Sequence, residues 1–213
     1  MKVKFLTSQA AKRAAQGFTL IEMIGVLAVI AILAAVLIPK VFEAINNSKV
    51  NNTAMSCNTV KTAIGDHYAK FGSLVSSNGT VFPLPMNNYD NILVTEGFMD
   101  KPFEVKISSP SGGVTNHVEA VAALPITTDP SAVNSAYNLD GTGTAGTDMN
   151  KATGSAVVQA VIPGVTENDA RDFNDRLDGK VLGTPSGADL VGRVKYAAAP
   201  SGTTTVYVYL THR

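Results

Sequence analysis

An apolar run with one carboxylate near its start places the strongest constraint on the fold. The run covers residues 18–39 (FTLIEMIGVLAVIAILAAVLIP), and Glu22 is its only charged residue. As an α-helix it would be about 33 Å long, which is enough to cross a hydrocarbon core of about 30 Å. It is too long for the apolar region of a cleaved secretory signal, which has about 7–15 residues. We therefore predict a helix that spans a membrane once.

The charges around this run predict its orientation. Residues 1–17 contain four basic residues and no acidic one, whereas the rest of the chain has an excess of four acidic residues. Basic residues beside a span remain on the cytoplasmic side, so the N-terminus is expected in the cytoplasm and the residues after Pro39 outside it. The acidic remainder argues against a nucleic-acid-binding surface spread over the protein.

The position of Glu22 calls for a partner. On insertion scales a charged side chain at the centre of a membrane helix costs about 2.5–3.5 kcal/mol. Cleavage between Gly17 and Phe18 would create an α-amino group one helical turn before Glu22, and the two could pair within one chain or between staggered chains. Spacing alone does not choose between these arrangements. An uncleaved signal anchor is the simpler alternative, but it leaves Glu22 unexplained.

The basic leader, the sequence GFTLIE at residues 17–22 and the apolar run to Pro39 together resemble the N-terminus of type IV pilins and type II secretion pseudopilins. This resemblance implies that a prepilin peptidase cleaves after Gly17 and N-methylates Phe18. It also implies that Glu22 neutralises the N-terminal amine of an adjacent subunit. Thr19 belongs to the same assembly segment, and Pro39 would mark a kink where its ring removes a helical hydrogen bond.

By the same resemblance, the protein is a structural subunit of a type IV pilus-like filament and not an enzyme. Its partners would be identical subunits, the prepilin peptidase, an inner-membrane assembly platform and other minor pilins. It would start as a single-pass inner-membrane protein and end in an extracellular pilus or a periplasmic pseudopilus. Two alternatives remain open: a type II secretion pseudopilin, and a minor tip pilin that binds a surface or DNA.

The predicted organisation has four segments and an α+β fold. Residues 1–17 form the cleaved leader, 18–39 the transmembrane and filament-core helix, 40–71 the amphipathic half of the same helix, and 72–213 a globular head. The long helix is expected to pack on an antiparallel sheet, as in pilins. At 100° per residue, one side of the second half carries an apolar stripe that consists of Phe42, Ile45, Val60, Ala63, Ile64 and Phe71. Cys57 lies at the margin of this stripe and is expected to be a half-buried thiol. Residues 46–53 are too polar for a core and are expected to be exposed.

The head contains patterns for two helices and five strands. A short helix and turn are predicted at residues 89–103, and a helix with Thr166 as N-cap and Asp169 in a capping-box position ends at Gly179. Strands are predicted at residues 103–108, 117–124, 156–162, 191–199 and 204–211, the last two as a hairpin turned at 200–202. In the last strand the valines and Leu210 face one side, whereas Tyr207 and Tyr209 face the other.

Several motifs could suggest a ligand or a partner. Residues 141–146 satisfy G-x-G-x-x-G, but no strand–helix context surrounds them, so a surface loop is expected. Weak calcium candidates are Asn138, Asp140 and Asp148, whose spacing differs from an EF-hand; no other cofactor is predicted. The acidic residues 167, 169, 172, 175 and 178 predict a solvated helix face. Tyr196, Tyr207 and Tyr209 could form an exposed aromatic patch, or could cover the sheet.

Overall fold

In the computed structural model, residues 17–77, 80–108, 115–124, 130–139, 156–180, 182, 187–200 and 202–213 are described. The chain divides into two compact units, one ending at Glu43 and one starting at Ala44. The predicted α+β class is confirmed. In chain order the elements are α1 (Leu20–Phe71), β1 (Ser76–Ser77), β2 (Thr80–Val81), α2 (Tyr89–Thr95), β3 (His117–Ala122), β4 (Ala156–Thr166), α3 (Glu167–Leu177), β5 (Val194–Tyr196) and β6 (Thr203–His212).

The C-terminal part of α1 buries one side in the second unit. The buried positions recur every three or four residues, as expected for one face of a helix; they are Val50, Thr53, Cys57, Val60, Ala63, Ile64 and His67. The predicted stripe is therefore correct at residues 60–64, and the helix ends at Phe71 as predicted. It is wrong at Phe42 and Ile45, which are 66% and 47% exposed. Periodicity identifies a face, but burial also needs a covering element, and the first fully covered position is Val50.

The prediction that residues 46–53 are exposed is wrong for two of its positions. Val50 and Thr53 are almost completely buried. Helix α3 lies beside this segment, where Asn46 donates a 2.7 Å hydrogen bond to the Asp169 carboxylate. Thr53 donates its hydroxyl to a main-chain carbonyl one turn earlier in α1. Polar residues can line a helix interface when hydrogen bonds satisfy them, so composition alone misled the prediction.

Cys57 was predicted to be half-buried at the edge of the stripe, but it is 2% exposed and belongs to the core. Burial raises the pKa of its thiol to about 12. It is a free cysteine. A neutral, buried thiol behaves as a small apolar side chain, so the Cys57 thiol is unreactive in the folded protein.

Four strands form one antiparallel sheet in the order β3-β4-β6-β5. The core lies between this sheet and α1, and residues of both belong to one buried cluster. In β6 the even-numbered residues from Thr204 to Leu210 are buried and Tyr207 and Tyr209 are partly buried on the other face, as predicted. Strand β5 pairs with β6 as predicted, but it covers only Val194–Tyr196, whereas the predicted strand ran over residues 191–199.

Three other strand predictions need correction. Residues 103–108 bury Phe103, Val105 and Ile107 in alternation, but they form no strand. Side chains satisfy this backbone instead: the Phe103 N–H donates to Asp90 at 2.9 Å, and Asn116 donates to the Val105 carbonyl at 3.2 Å. Alternation shows which side chains are buried, but it does not show whether a neighbouring strand is present.

Strand β4 also differs from its prediction, because it continues past residue 162 to Thr166. The predicted strand ended before Pro163 and Gly164, two residue types that interrupt regular strands. In the structure a register shift between Ile162 and Val165 in the pairing with β6 accommodates both residues. Such irregularities let a strand pass a residue that cannot donate to the ladder. Strand β3, in contrast, ends at Ala122, two residues earlier than predicted.

The outer edge of β3 is covered. Ala120 and Met86 exchange two main-chain hydrogen bonds of 2.8 and 2.9 Å. The Val118 N–H donates to Asp90 at 3.4 Å, and the Ala122 carbonyl accepts from the Ser135 hydroxyl. Peptide groups that are already bonded cannot pair with a strand from another molecule.

The opposite edge of the sheet, at β5, is covered in the same manner. Tyr196 and Asp189 exchange two main-chain hydrogen bonds of 3.0 and 2.9 Å. The Val194 N–H donates to the Asp178 carboxylate at 2.8 Å. The outward peptide groups of β3 and β5 that carry these bonds are thus protected against strand addition.

Candidate functional site

The start of α1 is organised by two side chains. The Glu22 Oε2 atom accepts hydrogen bonds from the Thr19 main-chain N–H and from the Thr19 hydroxyl, both at 2.8 Å. In return, the Glu22 N–H donates to the Thr19 Oγ1 at 3.3 Å. This reciprocal arrangement is a capping box, which satisfies amide groups that have no partner inside the helix. The T-x-x-E spacing of this capping box is present in the sequence, and the prediction for Glu22 did not include it.

The capping box uses only one oxygen of the Glu22 carboxylate. No hydrogen bond from the described residues reaches Oε1. A carboxylate can accept several hydrogen bonds on its two oxygens. Glu22 can therefore cap its own helix and still accept a hydrogen bond from a cationic donor.

The apolar side chains of the run are uncovered by the chain. The exposure of the large apolar side chains ranges from 41% at Met23 to 82% at Phe18. Helix α1 contains a stretch that is long and apolar enough to cross a membrane, and none of that stretch is buried. Soluble monomers rarely expose an apolar surface of this extent. The run therefore needs an apolar environment, either lipid or other apolar helices.

The two ends of the run differ in structure. Gly17 and Phe18 precede α1, are not helical and are exposed, so the peptide bond between them is accessible. At the other end, α1 continues through Pro39, and the predicted kink there stays a prediction. Lys40 and Glu43 follow as an exposed ion pair of 3.1 Å, which contributes little stability at such exposure. Residues 1–16 of the leader lie outside the described residues.

This geometry coincides with a match to known proteins. Residues 12–38 match the family model described as the prokaryotic N-terminal methylation motif. That motif is the signature of type IV pilins and pseudopilins. The methylation motif contains Gly17, Phe18, Thr19 and Glu22 and ends just before Pro39. No curated protein and no solved structure matches the chain. The methylation motif suggests a structural subunit of the pilin type.

The calcium candidates fall mostly outside the described residues. Asp140 and Asp148 lie there, as does the G-x-G-x-x-G sequence at 141–146. Asn138 is described, and its main-chain carbonyl accepts a 2.7 Å hydrogen bond from the Gly192 N–H. In the described part of the chain, no group of three His, Cys, Asp or Glu residues could hold a metal ion. Calcium binding stays a prediction.

The acidic residues of α3 are not simply a solvated face. The Asp178 side chain is 2% exposed, and it accepts hydrogen bonds from the main-chain N–H groups of Arg193 and Val194 and from the Arg193 guanidinium. Glu167 accepts from the N–H groups of Ala199 and Gly187. Both carboxylates therefore bind loops that come from the C-terminal part of the chain, which a helical pattern alone does not reveal.

The exposed aromatic patch is wrong in one member. Tyr196 is fully buried in the core between the sheet and α1. Tyr207 and Tyr209 lie on the opposite face and are partly buried, and the Tyr209 ring contacts Tyr137 at 5.3 Å between centroids. Tyr207 and Tyr209 therefore cover the sheet, which was the predicted alternative to an exposed patch.

Proposed function

We propose that this chain is a structural subunit of a type IV pilus-like filament. A prepilin peptidase cleaves it after Gly17 and N-methylates Phe18, and the mature subunit polymerises through the N-terminal part of α1. The observation that carries the proposal is the capped, fully exposed apolar helix inside the methylation motif. A helix of this kind can exchange lipid for identical helices without leaving a backbone group unsatisfied.

The geometry of Glu22 supports a role in assembly. Cleavage after Gly17 makes Phe18 the amino-terminal residue, with a cationic amine. The Glu22 Oε2 atom remains occupied by Thr19, so Oε1 is the oxygen available to the amine of an adjacent subunit. Such a pair is charge-assisted, and in an apolar surrounding it is stronger than in water. This ion pair would select one axial offset between neighbouring helices, because any other offset leaves the amine and the Glu22 carboxylate unpaired in the apolar bundle.

The head supports assembly through the helix rather than through the sheet. Both edges of the described sheet are bonded to other parts of the same chain, namely Met86 and Asp90 at one edge and Asp178 and Asp189 at the other. Strand addition between heads would first have to break these hydrogen bonds. The large uncovered apolar surface, by contrast, lies on α1.

The decisive experiment is mass spectrometry of the mature N-terminus. We expect a chain that begins at N-methylphenylalanine 18. A chain that still begins at Met1 would contradict processing and favour a plain membrane anchor.

Polymerisation is tested separately with Glu22→Gln, which keeps the size and the capping carbonyl but removes the charge. We expect the processed subunit in the membrane fraction and few or no filaments in the sheared surface fraction. Glu43→Gln is the matched control, because Glu43 is an exposed carboxylate of the same helix beyond Pro39. Normal filaments from Glu22→Gln would show that the charge pair is dispensable.

A periplasmic pseudopilus is the second candidate, because pseudopilins carry the same methylation motif. Electron microscopy of sheared surface fractions separates the two: long fibres that contain this chain favour a pilus, whereas a secretion defect without fibres favours a pseudopilus. A minor tip pilin would be found at a few copies per fibre. In each case the subunit starts in the inner membrane, with its N-terminus cytoplasmic, and meets the peptidase, the assembly platform and other pilins there.

A further inference from the structure

The face of the sheet opposite α1 is covered by residues 130–139. Tyr137 and Leu139 from this segment pack with Val157 of β4 and Tyr209 of β6 in a second buried cluster. Tyr137 is fully buried, and its hydroxyl donates a 2.6 Å hydrogen bond to the side chain of Gln159. The segment is therefore part of the folded head.

Lys195 of β5 extends into this segment and is completely buried. Its Nζ atom donates to the main-chain carbonyls of Ser131, Asn134 and Ala136 at 2.9, 2.7 and 2.7 Å. The Asn134 Oδ1 atom lies 3.3 Å from Nζ, and the Tyr137 ring centroid lies 4.0 Å from it. Four oxygens and one aromatic face thus surround a single ammonium group.

The turn that supplies these oxygens is held in shape by its own hydrogen bonds. The Asn134 Oδ1 atom accepts from the N–H groups of Ser131 and Ala136, both at 3.1 Å. These bonds close the turn through the asparagine side chain and leave three carbonyls for the ammonium. Among the described residues, no carboxylate lies within ion-pair distance of Nζ. Lysines are seldom fully buried without a counter-ion, so the carbonyl dipoles take that role here.

The protonation of Lys195 is set by two opposing effects. Burial lowers the pKa of Lys195 to about 7. The oxygens around Nζ act in the opposite direction, because they only accept hydrogen bonds and a protonated amine has one more N–H to donate than a neutral amine. The aromatic face of Tyr137 also favours the cation.

We propose that residues 131–136 form a cation-binding turn whose resident cation is the Lys195 ammonium, and that this contact is the latch that holds residues 130–139 on the sheet. The oxygen distances of 2.7 to 3.3 Å match hydrogen bonds from an ammonium group. They are too long for calcium or magnesium, which bind oxygen at about 2.0–2.6 Å. When the lysine side chain is shortened, the turn should bind a small free alkylammonium ion. This inference concerns the head and does not depend on the proposed function.

The test uses Lys195→Ala in the full chain in detergent, with hydrogen exchange measured by mass spectrometry. We expect exchange within residues 131–137 to accelerate about 10- to 100-fold, the range for losing a charge-assisted hydrogen bond, whereas the paired strands β4 and β6 keep their protection. Propylammonium chloride should restore the protection, because it replaces the missing methylenes and the charge. Propan-1-ol should not, because it has the same length without the charge. Unchanged exchange in the variant, or equal rescue by the alcohol, would overturn the proposal.

Two further variants keep the test valid if Lys195→Ala unfolds. Lys195→Met preserves most of the stem packing without the ammonium, and it should also release residues 131–137. Val60→Ala removes buried apolar volume from α1, on the other side of the sheet, and lowers overall stability. It should not accelerate exchange selectively at residues 131–137. If residues 131–137 keep their protection in Lys195→Met, or if their exchange is selectively accelerated in Val60→Ala, the ammonium is not the latch.

Discussion

At the scale of single residues, Thr19 and Glu22 show how one carboxylate can have two uses. The Glu22 side chain caps the first turn of α1 through Thr19 and keeps one oxygen available. The sequence predicted a partner for Glu22 from the cost of a charge in lipid, and the structure adds a local partner within the same helix. Because both hydrogen bonds to Glu22 come from Thr19, that residue should influence assembly through the order of the first turn.

Thr19→Ala should therefore reduce filament formation. Loss of an N-cap side chain costs about 0.5–2 kcal/mol of helix stability, and here it also removes one of the two hydrogen bonds that orient Glu22. The measurement is the amount of this chain in sheared filaments relative to the membrane pool. Thr19→Ser keeps the hydroxyl and should behave like the wild type. Equal filament yields from all three chains would contradict a role for the cap.

Gly192 is a second residue whose identity is dictated by its surroundings. Its φ of +84° lies in the left-handed region, and a Cβ atom there would be 2.5 Å from Asp178 Oδ2. Gly192→Ala should lower the free energy of unfolding by about 1–3 kcal/mol, because it adds backbone strain and displaces the buried Asp178 side chain that pairs with Arg193. Thermal unfolding of the full chain in detergent measures this change. Gly202→Ala is the control, because a Cβ at Gly202 meets no atom within 4 Å. Equal melting temperatures for the Gly192→Ala and Gly202→Ala proteins would refute the explanation.

At the scale of elements, local patterns predicted the helices better than the strands. The end of α1 at Phe71 and the Thr166 cap of α3, whose hydroxyl accepts from the Asp169 N–H, follow from signals within a few residues. Residues 103–108 show the limit, because their alternation was correct and their strand assignment was not. Whether an extended segment pairs depends on residues far away in the chain, here Asp90 and Asn116.

Helix α3 also anchors two loops through Glu167, and this contact should depend on pH. Hydrogen bonds from the N–H groups of Ala199 and then Gly187 hold the pKa of Glu167 below its ordinary value of 4.5. A depressed folded-state pKa means that the contribution to stability is present above about pH 4.5 and is lost as pH falls through the folded-state value. Glu167→Gln should thus be less stable than the wild type at pH 7, with a difference that shrinks below pH 4.5 in urea unfolding. A difference that stays constant with pH would argue against the carboxylate.

At the scale of the whole molecule, the apolar surface and the protected sheet edges are separated along the chain. Among the described residues, nearly all of the exposed large apolar side chains lie in residues 18–45, and the described part of the head exposes few. A polymer of this chain should therefore be held by apolar contacts between helices. The head surface would mainly determine which molecules the finished filament meets.

This separation predicts how filaments respond to solvent. Detergent above its critical micelle concentration should dissociate them, because micelles offer the helices an alternative apolar environment. Salt at about 1 M should not, although it shortens the screening length to about 3 Å and weakens contacts between exposed charges. Sedimentation of filaments in each condition is the measurement. Filaments that dissolve in salt and survive detergent would place the main contacts on charged head surfaces.

The sequence by itself determined the apolar run, the end of α1, the cap of α3 and the two faces of β6. These features depend on periodicity and on contacts within one or two helical turns, which a linear pattern contains. Only the tertiary structure decided which polar residues are buried, among them Thr53, Asp178 and Lys195. The ammonium of Lys195 binds a turn about 60 residues earlier in the chain. Burial of a polar group requires partners that cancel its loss of water, and those partners become visible only when distant segments meet.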